Sequence, residues 1–286
     1  MFRRSTALTT LLLLGLFGAR TTVTVSLMAQ SPMTQLEKAE LSKKVESLLK
    51  QHGDGIAANL WLGGDSGKPW FELNADEPAA TASAIKTFYL VELFAANREA
   101  LDQSLPGADA VINNDEHPAI SHFSSEQRTE IRRVLGGASV RRIARIMMGS
   151  TGASNTVYNA AANVVTAVFS GPEALTKMIR DRDPAFAKVT ARRYMLRDMA
   201  SGLSNDAPAA ALAVLYQRLA TRAISGIDGE TIEAIRDAII KENIDDVGNH
   251  YSKGGNSFDP TTEVRAGWLE TAQRIVDLRR DDARCR

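Results

Sequence analysis

Ser83-Ala84-Ile85-Lys86, continued by Thr87-Phe88-Tyr89-Leu90-Val91-Glu92-Leu93-Phe94, is the stretch that decides how this chain is read. Its second part is almost wholly apolar, too rich for a helix with a wet face, and predicts a helix buried through the middle of a domain. Its first part sets a serine and a lysine three positions apart, on one face of that helix's first turn. An amine there comes within hydrogen-bond reach of the hydroxyl. Serine is a weak nucleophile until something takes its proton, and a partly desolvated lysine with a lowered pKa does that. The helix start also offers unpaired N–H groups to an oxyanion. The pattern predicts an acyl-transfer site, with Ser83 as nucleophile and Lys86 as its proton partner.

A serine before a helix is also an ordinary cap, so the flanks carry weight. Gly55 to Leu62 reads as a strand, Gly63-Gly64-Asp65-Ser66-Gly67 as a turn, and Trp70 to Asn74 as the second strand of a hairpin. Asp76-Glu77-Pro78 ends it. Before the hairpin, residues 34 to 51 repeat leucine and valine at helical spacing. After Ser83, helical patterns dominate from Ala82 to about Ala223, broken near 106–109, 113–125 and 149–154. One more helix is predicted over Glu230 to Lys241, and strands over His250 to Ser252 and Glu263 to Leu269. This order predicts an α+β fold: an antiparallel sheet flanked by helices, its strands drawn from both ends of the chain, with an all-helical lobe inserted. The sheet lobe takes about residues 31–80 and 226–286, the helical lobe about 81–225. Ser83 falls where the chain passes between them, and a cleft between lobes suits a small-molecule site.

Bulk properties narrow the partners. Lys+Arg and Asp+Glu are 34 each, so the overall field does not point to nucleic acid. The single cysteine, Cys285, cannot form an internal disulfide, and a thiol nucleophile is not expected at a chain end. His52, His117, His122 and His250 make no metal set, and no cofactor is implied. Residues 1–29 read as an export signal, with Arg3-Arg4, the Leu11-Leu12-Leu13-Leu14 core and Ala29 as cleavage point. Leu27 stands where a small residue is preferred, so an uncleaved anchor stays open. Both readings place the folded part outside the cytoplasm, periplasmic or secreted, with no other membrane partner.

Two further segments join the first. Ala153-Ser154-Asn155, with Asn159 beyond it, follows the apolar run Ile143–Met148, and Lys253-Gly254-Gly255 follows a short strand. Glycines there let a ligand lie against the strand edge. With Ser83-x-x-Lys86, the set resembles the class A β-lactamase-like, penicillin-recognising serine hydrolases in order and rough spacing. The resemblance covers nearly all of the chain after the leader. It implies a β-lactamase/transpeptidase-like fold, a monomer, and a β-lactam or peptidoglycan-like small molecule as substrate. It assigns Ser83 as the acylated residue, Lys86 as its proton partner, and the Ser83 N–H as half of an oxyanion hole. Asn155 would bind the acylamide side chain, and Asn159 would be structural. Lys253 would meet the substrate carboxylate, and Gly255 would allow close edge pairing.

The departures are as informative. With Asn155 and Asn159 setting the register, the family's loop serine falls on Ala153. Ser154 is then the hydroxyl left to pass a proton, if the loop shifts toward the cleft. The deacylating glutamate is expected between about Met178 and Leu203, where Asp181, Asp183 and Asp198 are the only carboxylates. Solvated charge or pairing with Arg192, Arg193 or Arg197 is their ordinary role. The resemblance also implies one more apolar strand and a closing helix after Leu269, yet the tail from Arg279 is polar and would leave sheet surface uncovered. A penicillin-binding-type peptidase and a non-catalytic binding protein of the same fold remain as alternatives.

Overall fold

Helix α2 (Lys86–Ala96) is the axis of the molecule, with every residue from Lys86 to Phe94 buried. Apolar side chains all round leave it no solvent face, so it fills the middle of the domain as its composition requires. Phe88 meets Phe186 edge-on at 5.1 Å. The polar groups along it are paired, as burial demands. Thr87 Oγ1 shares a 2.8 Å hydrogen bond with the Tyr216 hydroxyl. Glu92 accepts both Arg182 Nε and Nη2, at 2.5 and 2.7 Å.

The computed structural model describes residues 22–29, 34–51, 57–64, 67–198, 201–244, 248–258 and 261–271. Residues 1–21, where most of the expected export signal falls, His52, Asp65, Ser66, and the tail with Cys285 lie outside the described residues. On α2 pack α5 (Val140–Met148), α6 (Asn155–Val168) and α7 (Pro172–Arg182), and α3 (Ala108–Ile112) and α4 (Ser125–Leu135) lie against α6, the expected helical lobe. Ser124 and Ser139 cap α4 and α5 through their side chains, and Gly149 ends α5 at φ 86°.

The sheet has six strands: β1 (Thr22–Ala29), β2 (Ala57–Gly64), β3 (Pro69–Leu73), β6 (Ile240–Ile244), β7 (Gly248–Phe258) and β8 (Thr261–Thr271). Their order is β3-β2-β1-β8-β7-β6. Alternation along β2 sets its two faces. Ala58, Leu60 and Leu62 pack with Leu41 and Val45 of α1 (Gln35–Gln51). Trp61 joins the main core, where α8 (Ala209–Ala220) lies against the sheet. The fold is α+β, with the helical lobe inserted as expected.

Three features differ from the sequence reading. Thr22–Ala29, read as the end of the export signal, is a strand in the middle of the sheet, parallel to both β2 and β8. The sheet is therefore mixed at that position, and the place where one more apolar strand was expected from the C-terminal side is filled from the N-terminal side. Next, α9 (Gly229–Ala238) stops three residues short of Lys241, because Ile240–Ile244 pairs antiparallel with β7 as an edge strand. Edge pairing decides there over a short helical pattern. Last, a two-stranded pair joins β4 (Ala79–Ala80) to β5 (Asp206–Ala207), too short for any periodicity to reveal.

Candidate active site

Ser83 lies in a 3₁₀ turn, Ala82–Ile85, that leads straight into α2. Thr81, the residue before this turn, is fastened to the Asn205 carbonyl by its N–H (2.9 Å) and its hydroxyl (2.6 Å). Ala82 takes φ 45°, a left-handed conformation costly for a residue with a Cβ. The turn thus holds Ser83 half-buried at the mouth of the central helix. Strand β7 closes the other side. A Cβ on Gly255 would stand 2.4 Å from the Ser83 amide nitrogen, so only glycine lets the strand backbone come this near.

Lys86 is fully buried, and its Nζ donates to Asn159 Oδ1 at 2.8 Å. The same Nζ stands 3.1 Å above the centre of the Tyr158 ring. Burial, and then the charge of Lys253, hold the Lys86 pKa well below the usual lysine range. Lys253 Nζ is 4.9 Å from the centre of the same ring and donates to the Gly254 carbonyl at 3.0 Å. Burial and the nearby Arg265 lower its pKa to about 8. Tyr158 lines the same cleft as Ser83. Burial pushes its phenol up to about 12, and the nearby Ser83 pulls the other way.

Not every expected residue is here. Asn155 and Asn159 both line the cleft, and Asn159 Nδ2 donates to the Asn155 carbonyl (2.9 Å) and Oδ1 (3.0 Å). Asn159 accepts the Lys86 amine, a nearer role than the structural one expected. Ser154 departs from its expected place. Its Oγ accepts from the Val157 N–H as the N-cap of α6 and donates to Glu130 at 3.0 Å, outside the residues that line the cleft. The first turn of α6 uses this hydroxyl for itself. The aspartates of the 178–203 segment are also occupied elsewhere: Asp181 with Lys177 (2.5 Å), Asp183 with Arg218 (3.4 Å) and Asp198 with Arg197 (3.2 Å). Glu263 is the one carboxylate among the cleft's described lining residues, and it pairs with Arg265 at 3.7 Å.

The cleft holds about 580 Å³. Lys253, Arg193 and Arg265 bring positive charge to it against Glu263 alone. Leu196 and Leu203, both exposed, add an apolar rim. Sequence reasoning missed Tyr158, Arg193 and the leucine rim. Tyr158 sits beside Asn159 in the sequence, and a helical wheel through Asn155 and Asn159 could have placed it near them. The rim comes from a loop without periodicity. That loop is positioned by buried asparagines: Asn163 joins the Met195 backbone, and Asn205 Oδ1 accepts the N–H groups of Arg192 and Arg193 at 2.8 and 3.1 Å.

Neither a protein-family model nor a curated protein sequence matches the chain. Among solved structures it is similar to an ancestral class A β-lactamase (17% identity, TM-score 0.49, covering 71% of this chain and 76% of that one). It is also similar to a β-lactamase from Burkholderia vietnamiensis (13%, 0.48, 84% and 85%). A third is a β-lactamase from Desulfarculus baarsii (17%, 0.47, 79% and 80%). These are similarities of overall shape, and the chemistry rests on the residues of this cleft.

Proposed function

We propose that this chain is an exported serine hydrolase whose Ser83 is acylated by a β-lactam or a related amide. The observation that carries the reading is one cleft lined by Ser83, Tyr158, Asn159 and Lys253, with the amine of the buried Lys86 bonded to Asn159 and 3.1 Å from the centre of the Tyr158 ring. Ser83 Oγ attacks the carbonyl, and the developing oxyanion finds the Ser83 N–H beside the close-packed Gly255 strand. Lys86, whose pKa burial lowers, lies behind the cleft wall and donates to Asn159, which lines the cleft with the nucleophile. Lys253 and Arg265 favour a substrate carboxylate, Leu196 and Leu203 an apolar side chain, and Asn155 an amide.

A specific observation favours a second reading. Because Glu263 is the one carboxylate among the described lining residues, and is paired, a base for deacylation is not supplied by the 178–203 segment. A penicillin-binding-type D,D-peptidase, acting on peptidoglycan stem peptides, needs no such glutamate.

The deciding experiment is incubation with a fluorescent penicillin, followed by intact-protein and peptide mass spectrometry. A covalent adduct on Ser83, absent from Ser83→Ala, is expected. Labelling that survives in Ser83→Ala removes the assigned nucleophile. A wild-type chain that never labels leaves a binding protein of this fold. Hydrolysis of a chromogenic cephalosporin then separates a lactamase from a peptidase.

A further inference from the structure

Three arginines follow one another closely in the loop beside the cleft, and two of them have a carboxylate. Arg192 Nε pairs with Asp206 at 3.1 Å, and Arg197 Nε with Asp198 at 3.2 Å. Arg193 is half-buried and lines the cleft, yet no carboxylate among the described residues forms an ion pair with it. Its guanidinium donates to carbonyls alone: Nε to Leu203 at 2.7 Å, and Nη1 to Arg197 at 3.0 Å and Tyr194 at 3.4 Å. Those bonds fix the planar fork and leave Nη2 without a partner among the described residues. Carbonyl oxygens satisfy donors but do not balance a charge, and burying an unbalanced charge is costly. Burial accordingly holds the Arg193 pKa below the usual arginine range.

We propose that Arg193 binds a second carboxylate, carried on the acyl side chain of the substrate, an inference that rests on the acyl-enzyme reading above. Lys253 and Arg193 belong to two elements that both touch the Ser83 turn. Gly255, two residues past Lys253 on β7, packs so close that a Cβ would stand 2.4 Å from the Ser83 nitrogen. Thr81, two residues before Ser83, is bonded twice to the Asn205 carbonyl, and Asn205 Oδ1 accepts the Arg193 N–H at 3.1 Å. A substrate whose carbonyl lies at Ser83 thus has one cation from the strand and another from the loop. Arg265 stands with Lys253 on the paired strands β7 and β8, so a carboxylate held there leaves Arg193 unbalanced. Glu263 pairs with Arg265 at 3.7 Å. Arg193 is bonded to the carbonyl of Leu203, part of the apolar rim, so the matching side chain is an apolar group that bears a carboxylate. The two N–H donors of Nη2 suit that anion through charge-assisted hydrogen bonds.

Benzylpenicillin and α-carboxybenzylpenicillin differ by one carboxylate on an apolar side chain. Their rates of acylation at Ser83 are measured by competition with a fluorescent penicillin. The wild-type chain is expected to react about tenfold faster with the dianion, an advantage that shrinks as salt is raised. In Arg193→Gln the preference should fall to about twofold or less. Arg193→Lys, which keeps the charge without the carbonyl bonds, should retain part of it. Equal rates in the wild-type chain, or a preference for the neutral side chain, overturn the inference, as does a preference that survives intact in Arg193→Gln. Equal loss in the glutamine and lysine variants also overturns it, since loop shape and not charge would then be the cause. Should neither variant fold, the wild-type ratio at low and high salt decides, because a ratio that does not move excludes attraction between charges. If neither penicillin labels the wild-type chain, the acyl-enzyme reading fails first; if both label at one rate, only the role of Arg193 fails.

Discussion

At the scale of single residues, the two lysines carry the most testable physics. Lys253 is charged in the unfolded chain up to its ordinary pKa of 10.5, but in the folded protein only up to about 8. Between those values the unfolded state binds more protons, so this group makes stability rise with pH across that window. Below about 8 it is charged in both states, and the folded state bears the whole cost of burying it. Lys253→Met should therefore raise stability at pH 7 by on the order of 1–3 kcal/mol, measured by denaturant unfolding. Its effect on function runs the other way: acylation by an anionic substrate should fall as pH passes above about 8 in the wild-type chain, and be weak throughout in the variant. A stability gain absent at pH 7 would mean the buried amine is better solvated than its surroundings indicate. Helical and strand spacing point to the cleft that Ser83 and Lys253 line, whereas the Lys86 amine, expected at the Ser83 hydroxyl, donates instead to Asn159 Oδ1. Ser154 was misread because a hydroxyl one residue before a helix is claimed by the backbone, and the exact helix start is a structural fact.

Elements meet most closely where β7 passes the turn of Ser83. At Gly255 a methyl group would fall 2.4 Å from the Ser83 nitrogen and 3.0 Å from Ala82 Cβ and the Ala84 nitrogen. The obstacles are mainly backbone, so strand and turn must separate. Gly255→Ala is expected to cost about 1–3 kcal/mol in stability. Moving the strand edge away from the nucleophile should also slow acylation by about 10²-fold. An alanine variant acylating at the wild-type rate would show that β7 takes no part in binding the reacting carbonyl. The hairpin, α1, α2 and the helical lobe were readable from periodicity. The β4–β5 pair and β6 were not, because two-residue strands carry no period and an edge strand competes with a helical pattern of similar length.

For the whole molecule, two consequences follow from what surrounds the cleft and what fills the sheet. With the aspartates of the 178–203 segment paired away from the site, the acyl-enzyme should persist, with deacylation slower by roughly 10²–10⁴ than where a positioned base is present. Time-resolved intact mass after a single penicillin addition measures this directly. An adduct that vanishes within seconds would require a base supplied from elsewhere. The second consequence concerns β1. It pairs with β2 and β8 on its two sides, so a chain lacking residues 1–29 presents two unpaired strand edges in the sheet's interior. Such a chain is expected to show a lower Tm and concentration-dependent association. Unchanged melting and a monomeric profile in size-exclusion chromatography would mean that β1 is dispensable to the fold.

Local pattern was enough to determine the α+β class, the buried central helix, and a serine with lysine neighbours at the junction of two lobes, because periods of 2 and 3.6 are written in consecutive residues. Only tertiary structure decided that Thr22–Ala29 completes the sheet, that Ser154 turns to its own helix, and that Tyr158 joins Ser83 in the cleft lining with two buried lysine amines over its ring. Those outcomes depend on which segments far apart in the chain come into contact, and burial and pairing settle that only when the chain is folded.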